Sequence, residues 1–138
     1  EKRFYEEYIP SVLSRFFGGA DPDRREGQLP VYVPFLGGSR YSLEQRKAEF
    51  QNVTLETTRE DMLLSLIRGN AAYHGEHLRE VGRMVKLGRK VVTTGGGAGI
   101  PGYLDVKKRW TGDFEYEYQE QSALLGAAML GEIYQSGS

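Results

Sequence analysis

Between Thr57 and Gly88 the apolar residues fall at three- and four-residue steps, and this run constrains the fold more than any other feature of the chain. Leu63, Ile67, Ala71, His74, Leu78, Val81 and Val85 share one face, which Leu64 and Leu66 broaden. The spacing predicts one long helix. Thr57 and Glu60 stand at the capping-box separation, where a hydroxyl and a carboxylate each satisfy a backbone N–H that the first helical turn leaves unpaired. Gly88 follows a basic last turn of Arg83 and Lys86, the place for a left-handed C-terminal cap. Such a rod would be about 45 Å long at about 1.5 Å per residue, so the remaining chain has to cover its apolar side. Gly69, Gly75 and Gly82 along it argue against a uniformly straight rod and let another helix approach closely.

The covering elements can be sought on either side. Residues 4–17 carry Tyr5, Tyr8, Ile9, Val12, Leu13, Phe16 and Phe17 at a helical period, with Pro10 placing the main helix from about Ser11. Residues 18–28, with Asp21-Pro22-Asp23, read as a surface loop in which both aspartates serve turn formation. Residues 29–36 are extended and apolar, and Pro30 and Pro34 limit them to a short or edge strand. Residues 41–56 are irregular, with Phe50 and Val53 as anchors. Beyond the long helix comes a β-branched strand at 90–94, then Gly95-Gly96-Gly97-Ala98-Gly99-Ile100-Pro101-Gly102, then a short helix at 103–110. Phe114-Glu115-Tyr116-Glu117-Tyr118 alternates as a half-buried strand does, and residues 120–134 close as an Ala- and Leu-rich helix. Strand, glycine turn, helix, strand, helix marks an α/β domain, and 138 residues suit one domain.

Composition removes several classes of function. Eighteen basic residues against nineteen acidic ones leave a net charge of −1, without the basic footprint of a nucleic-acid or anionic-membrane binder. With no cysteine there is no disulfide scaffold, thiolate metal site or thiol nucleophile. No apolar run approaches the roughly 20 residues of a membrane-spanning helix. The charged start, Glu1-Lys2-Arg3, has no signal-peptide core, so a cytoplasmic piece of a longer chain is expected.

Glycine is in excess, 18 residues where about ten would be usual for this length, and the excess clusters where chemistry is to be sought. The turn after Thr94 lets a flat or anionic ligand approach bare backbone. No Walker-type Gly-Lys-Ser/Thr sequence is present, which excludes a P-loop. Gly97, Gly99 and Gly102 also fit G-x-G-x-x-G, with Glu117 twenty residues on, so a dinucleotide-binding oxidoreductase fragment is an alternative. Barely twenty residues follow the second strand, too few for the rest of such a sheet. His74 and His77 are three apart, but without a visible third ligand they read as packed histidines, and no metal ligand is assigned. No Ser-His-Asp set is apparent, and no catalytic residue is assigned.

The order of motifs adds a resemblance. Val33-Pro34-Phe35-Leu36-Gly37-Gly38-Ser39-Arg40, then Ala48 to Thr54 leading to the capped helix, then Thr94-Gly95-Gly96-Gly97-Ala98, then Ser122 to Ala128, resembles the C-terminal lobe of the FGGY carbohydrate kinases over residues 29–131. The resemblance implies part of an actin-like (ribonuclease-H-like) α/β lobe, a short mixed sheet packed by helices including one long helix, with residues 29–134 as its core. It implies that Gly95, Gly96, Gly97 and Ala98 form the adenosine-binding turn, and that Gly37, Gly38 and Arg40 form a loop at the interlobe cleft, with Ser39 in place of the usual Glu. Gly126, Ala127 and Ala128 would pack the last helix beneath the nucleotide turn. Ile100, Tyr103 and Asp105 depart from the family's Ser/Asn, Trp and Gln, and Asn52, Leu66 and Arg68 depart from the pattern approaching the long helix. The family's N-terminal lobe, with the general base and most sugar contacts, has no counterpart among these residues. The implied activity is ATP- and Mg2+-dependent phosphorylation of a ketose or polyol by a complete two-lobed enzyme, this chain alone being inactive. A degenerate, non-catalytic interaction lobe is the further alternative.

Overall fold

The structure, a computed structural model, describes residues 2–35 and 46–136. A π-helical turn, Phe4–Tyr8, leads into α1, Ile9–Phe17. Pro10 has no N–H to give the carbonyl of Glu6, and the wider turn, closed by Ile9 N–H on Phe4 O, accommodates that gap. The expected loop then contains a helix, α2, Pro22–Gly27. Asp21 is its N-cap, with Oδ1 accepting from Arg24 N–H at 2.9 Å, and Pro22 stands in the first turn, where a missing donor costs nothing.

Strand β1, Val31–Val33, pairs antiparallel with β2, Glu49–Gln51, in the register Tyr32↔Phe50. The Tyr32 and Phe50 rings lie 4.8 Å apart between centroids, so Phe50 is the anchor expected of it. Val53 is 51% exposed and anchors nothing.

Helix α3 runs Arg59–Met84, 26 residues and about 39 Å. Its capping box is one residue later than the spacing suggested. Thr58 Oγ1 accepts from Asp61 N–H at 3.2 Å and the Asp61 carboxylate accepts from Thr58 N–H at 2.9 Å. Thr57 is engaged in the preceding turn, where its hydroxyl accepts from Thr54 N–H at 2.9 Å. At the other end Val85 is extended (φ −138°, ψ 149°), so Gly88 caps nothing.

Beyond α3, β3 (Lys90–Thr93), α4 (Tyr103–Trp110) and β4 (Glu115–Tyr118) form a β-α-β unit with parallel strands, registered Lys90↔Glu115 through Thr93↔Tyr118. The chain closes with α5, Ser122–Ser136. The expected α/β architecture with small sheets and a long helix is present, its antiparallel and parallel pairings lying in two separate two-stranded ladders.

The core is made where α1 and α4 meet the middle of α3. Ile9, Val12, Leu13 and Phe16 pack with Leu29, Leu64, Ile67, Ala71 and Val106. Two glycines of α3 make the approach possible, though the neighbours are not whole helices. A Cβ on Gly69 would sit 2.5 Å from the Tyr32 carbonyl oxygen, and one on Gly75 would strike the backbone of Thr111 at the end of α4. Thr111 Oγ1 donates to Ala71 O at 2.9 Å inside this contact. Arg68 fastens the approach to β1, donating to Glu26 O at 3.0 Å and Pro30 O at 2.9 Å.

Helix α5 departs from expectation. Leu124, Leu125, Met129, Leu130, Ile133 and Tyr134 are all exposed, and a Cβ on Gly126 meets nothing within 4 Å. Gln121, with φ 52°, directs the chain into this helix. Gly126, Ala127 and Ala128 therefore do not pack it beneath the glycine turn. No helix among the described residues is long and apolar enough to cross a membrane.

Candidate functional site

The turn at Gly95 to Ala98 begins where β3 ends. Gly95 has φ +94°, a conformation that a side chain strains, and Ala98 N–H closes the turn on Gly95 O at 3.0 Å. Gly95, Gly96 and Gly97 are exposed, and an added Cβ at any of them meets nothing within 4 Å. The N–H groups of Gly96 and Gly97 donate to no protein acceptor among the described residues. Ala98 is buried at 8% exposure and fixes the turn to the body of the domain. The arrangement offers bare backbone and two unpaired donors to a flat or acceptor-bearing ligand, which fits adenosine. Magnesium has no comparable cradle, since no group of three or more His, Asp or Glu among the described residues is placed to hold a metal.

The later glycines serve packing. Gly99 lies under the Tyr118 ring, 3.2 Å from where its Cβ would be. Gly102, left-handed at φ +85°, is the N-cap of α4 and lies against the Leu13 side chain. Glu117 is ion-paired with Lys90. Only Gly97 of the dinucleotide pattern therefore faces open space.

Gly37, Gly38 and Arg40 lie outside the described residues. Phe35 and Arg46, which bracket that stretch in sequence, line a groove of about 450 Å³ with Tyr32, Arg68, Tyr73 and Glu76. Phe35 meets Tyr73 edge-on at 5.6 Å, and the Arg46 guanidinium lies 5.1 Å from the Phe35 ring centroid.

The histidines of α3 do not converge. His77 Nδ1–H donates to Tyr73 O at 2.8 Å, so its proton sits on that nitrogen. His74, expected to be packed on the apolar face, is exposed, and its Nδ1 lies 2.7 Å from Lys107 Nζ of α4. Partial burial of its ring, then the Lys107 charge, then His77 push the His74 pKa below its ordinary value, and burial lowers that of Lys107. Nothing local in the sequence marks this pair, because its members are 33 residues apart.

A pH dependence follows. A histidine whose folded pKa is lowered binds fewer protons folded than unfolded, so it contributes stability that is present above the unfolded value of 6.5 and lost as pH falls below it. The urea midpoint of the wild-type protein is expected to fall between pH 7 and pH 5 more steeply than that of His74→Gln. Parallel curves would show that His74 is not linked to folding.

Comparison with known proteins bears on the fold. No protein-family model matches this chain, and no curated protein matches it. Among solved structures, xylulose kinase from Rhodospirillum rubrum superposes with a TM-score of 0.64 at 12% identity, over 80% of this chain and 21% of that one. The chain thus spans about a fifth of the length of the kinase it resembles, and the likeness is one of fold.

Proposed function

We propose that this chain is part of the nucleotide-side lobe of an ATP-dependent kinase acting on a sugar or polyol, with Gly95, Gly96, Gly97 and Ala98 as the adenosine-binding turn. The observation that carries the reading is the coincidence of two features. The fold follows part of a xylulose kinase, and a strand-to-helix turn within that fold leaves Gly96 and Gly97 N–H unpaired beside open space. In a complete enzyme these residues bind and orient the nucleotide. Phosphoryl transfer itself depends on positioning, charge stabilisation and a base for the hydroxyl, and those groups belong to the lobe that faces this one. Mg2+ would supply neutralisation of the phosphate charge there, held by groups outside the described residues. Gly37, Gly38 and Arg40 would form the cleft-side loop toward the substrate.

Amide NMR titration tests the reading on this chain. MgADP is expected to shift the amides of residues 95–98 first, and Gly96→Val to abolish those shifts without moving the thermal midpoint, since its Cβ meets nothing. Shifts confined to other residues, or NADH binding at the turn that MgADP does not displace, would overturn it. The second outcome would favour the oxidoreductase reading, and absence of any nucleotide binding a non-catalytic lobe.

A further inference from the structure

Among the described residues Lys107 is the one buried lysine, at 9% exposure, on α4 where it meets α3. It forms no ion pair with any described carboxylate. Its contacts are His74 Nδ1 at 2.7 Å and the Tyr103 ring, whose centroid is 5.5 Å from Nζ. A buried lysine is usually neutralised by a carboxylate, and here an imidazole takes that place. Two positive charges at 2.7 Å would repel strongly, so the pair holds at most one added proton between them. His74 is itself exposed, so the partner of the amine lies at the rim of the contact between α4 and α3. From α3 His74 and His77 face this group and from α4 Tyr103, whose own pKa is raised by burial and which therefore stays neutral.

The geometry points to Lys107 as a nucleophilic amine that captures small aldehydes as an imine, a modification site independent of the kinase reading. The ammonium first gives a proton to His74 Nδ1 or solvent. The freed lone pair then attacks the carbonyl carbon, and the C=O π pair moves to oxygen. A proton passes from nitrogen to the alkoxide to give the carbinolamine, whose hydroxyl takes up a second proton and leaves as water while the nitrogen lone pair forms C=N, and the iminium returns its remaining proton to solvent. One amine and one aldehyde give one imine and one water, with no oxidant or reductant. Burial of the stem without a neighbouring carboxylate lowers the pKa of the amine and so eases loss of that proton, as it does for reactive lysines generally.

Lys108, next in sequence and exposed, is an internal control. The folded protein is treated briefly with propionaldehyde and cyanoborohydride at pH 7, and each lysine's alkylation is read by peptide mass spectrometry. Lys107 is expected to react several-fold faster than Lys108, since burial lowers its pKa and leaves more of it as free amine. His74→Glu, which places a carboxylate beside the amine and holds it protonated, is expected to bring Lys107 to the rate of Lys108 or below. His74→Gln, neutral and still polar, should keep the preference. Circular dichroism confirms that each variant is folded. Equal or slower labelling of Lys107 in the wild type, or an unchanged ratio in folded His74→Glu, would overturn the assignment.

Discussion

Replacing Leu13 with alanine is expected to destabilise the protein by about 3 kcal/mol, within the range found for buried leucines. Leu13 is fully buried and sits where three elements converge. It belongs to the apolar face of α1, packs in the core that includes Leu64, Ile67 and Val106, and lies against Gly102, the left-handed residue that starts α4. The loss therefore combines burial with a cavity that neighbouring helices, held by glycine contacts, cannot readily close. Domains of this size are stable by about 5–15 kcal/mol, so the variant forfeits a large fraction of the total. Leu125→Ala on α5 is the matched control, since Leu125 is 49% exposed and its loss should fall within about 0.5 kcal/mol. Urea unfolding of both variants decides the matter. A cost below about 1 kcal/mol for Leu13→Ala would mean that α1 is not part of the core.

That test bears on how much of the fold was legible. Long periodic runs were: the stripe of α3, the apolar face of α1, the strand before the glycine turn, and the alternation of Glu115 to Tyr118. Boundaries were less so, for a physical reason. Thr57 with Glu60 and Thr58 with Asp61 have the same spacing, and only the turn that engages Thr57 selects the second pair. Helix α2 carries an Asp-Pro start, which serves a turn and a helix N-terminus equally well, and what fixes it is distant. Arg109 donates to Glu26 at 2.7 Å and to Asp23 at 2.5 Å across more than 80 residues of sequence. Helix α5 illustrates the opposite case. Its small residues carry the local mark of close packing, yet they are exposed, and among the described residues an added Cβ on Gly126 meets nothing within 4 Å.

The candidate site divides along the same line. The turn at Gly95 to Gly97 is local, its backbone freedom follows from composition, and the sequence pointed to it. The pairing of Lys107 with His74 depends on α4 lying across α3, so neither residue's neighbours reveal it. His74 looked like a packed stripe residue because helical period marks a face and not the end of the cover over it. Beyond the middle of α3 that cover runs out, and Val81, Met84 and Val85 are exposed as well.

The cover holds where α4 crosses Gly75, and Gly75→Ala should show how closely. The new Cβ would lie 3.1 Å from the Thr111 carbonyl carbon and closer still to its oxygen. Both partners are backbone, so no rotamer can relieve the clash. Either α4 moves outward, breaking the buried bond from Thr111 Oγ1 to Ala71 O, or α3 bends. Alanine improves helix propensity by about 1 kcal/mol, so a result governed by propensity would be stabilising. Overpacking against rigid backbone plus a lost buried hydrogen bond should outweigh it, for a net cost of about 2–3 kcal/mol. Gly88→Ala separates this cause from a general dislike of substituted glycines. A left-handed cap at Gly88 would make that change costly, whereas here the added Cβ meets open space and the effect should be within about 0.5 kcal/mol. If Gly75→Ala left the urea midpoint unchanged or raised it, the close crossing of α3 by the end of α4 would be wrong. The placement of Lys107 beside His74 depends on the same crossing and would fall with it.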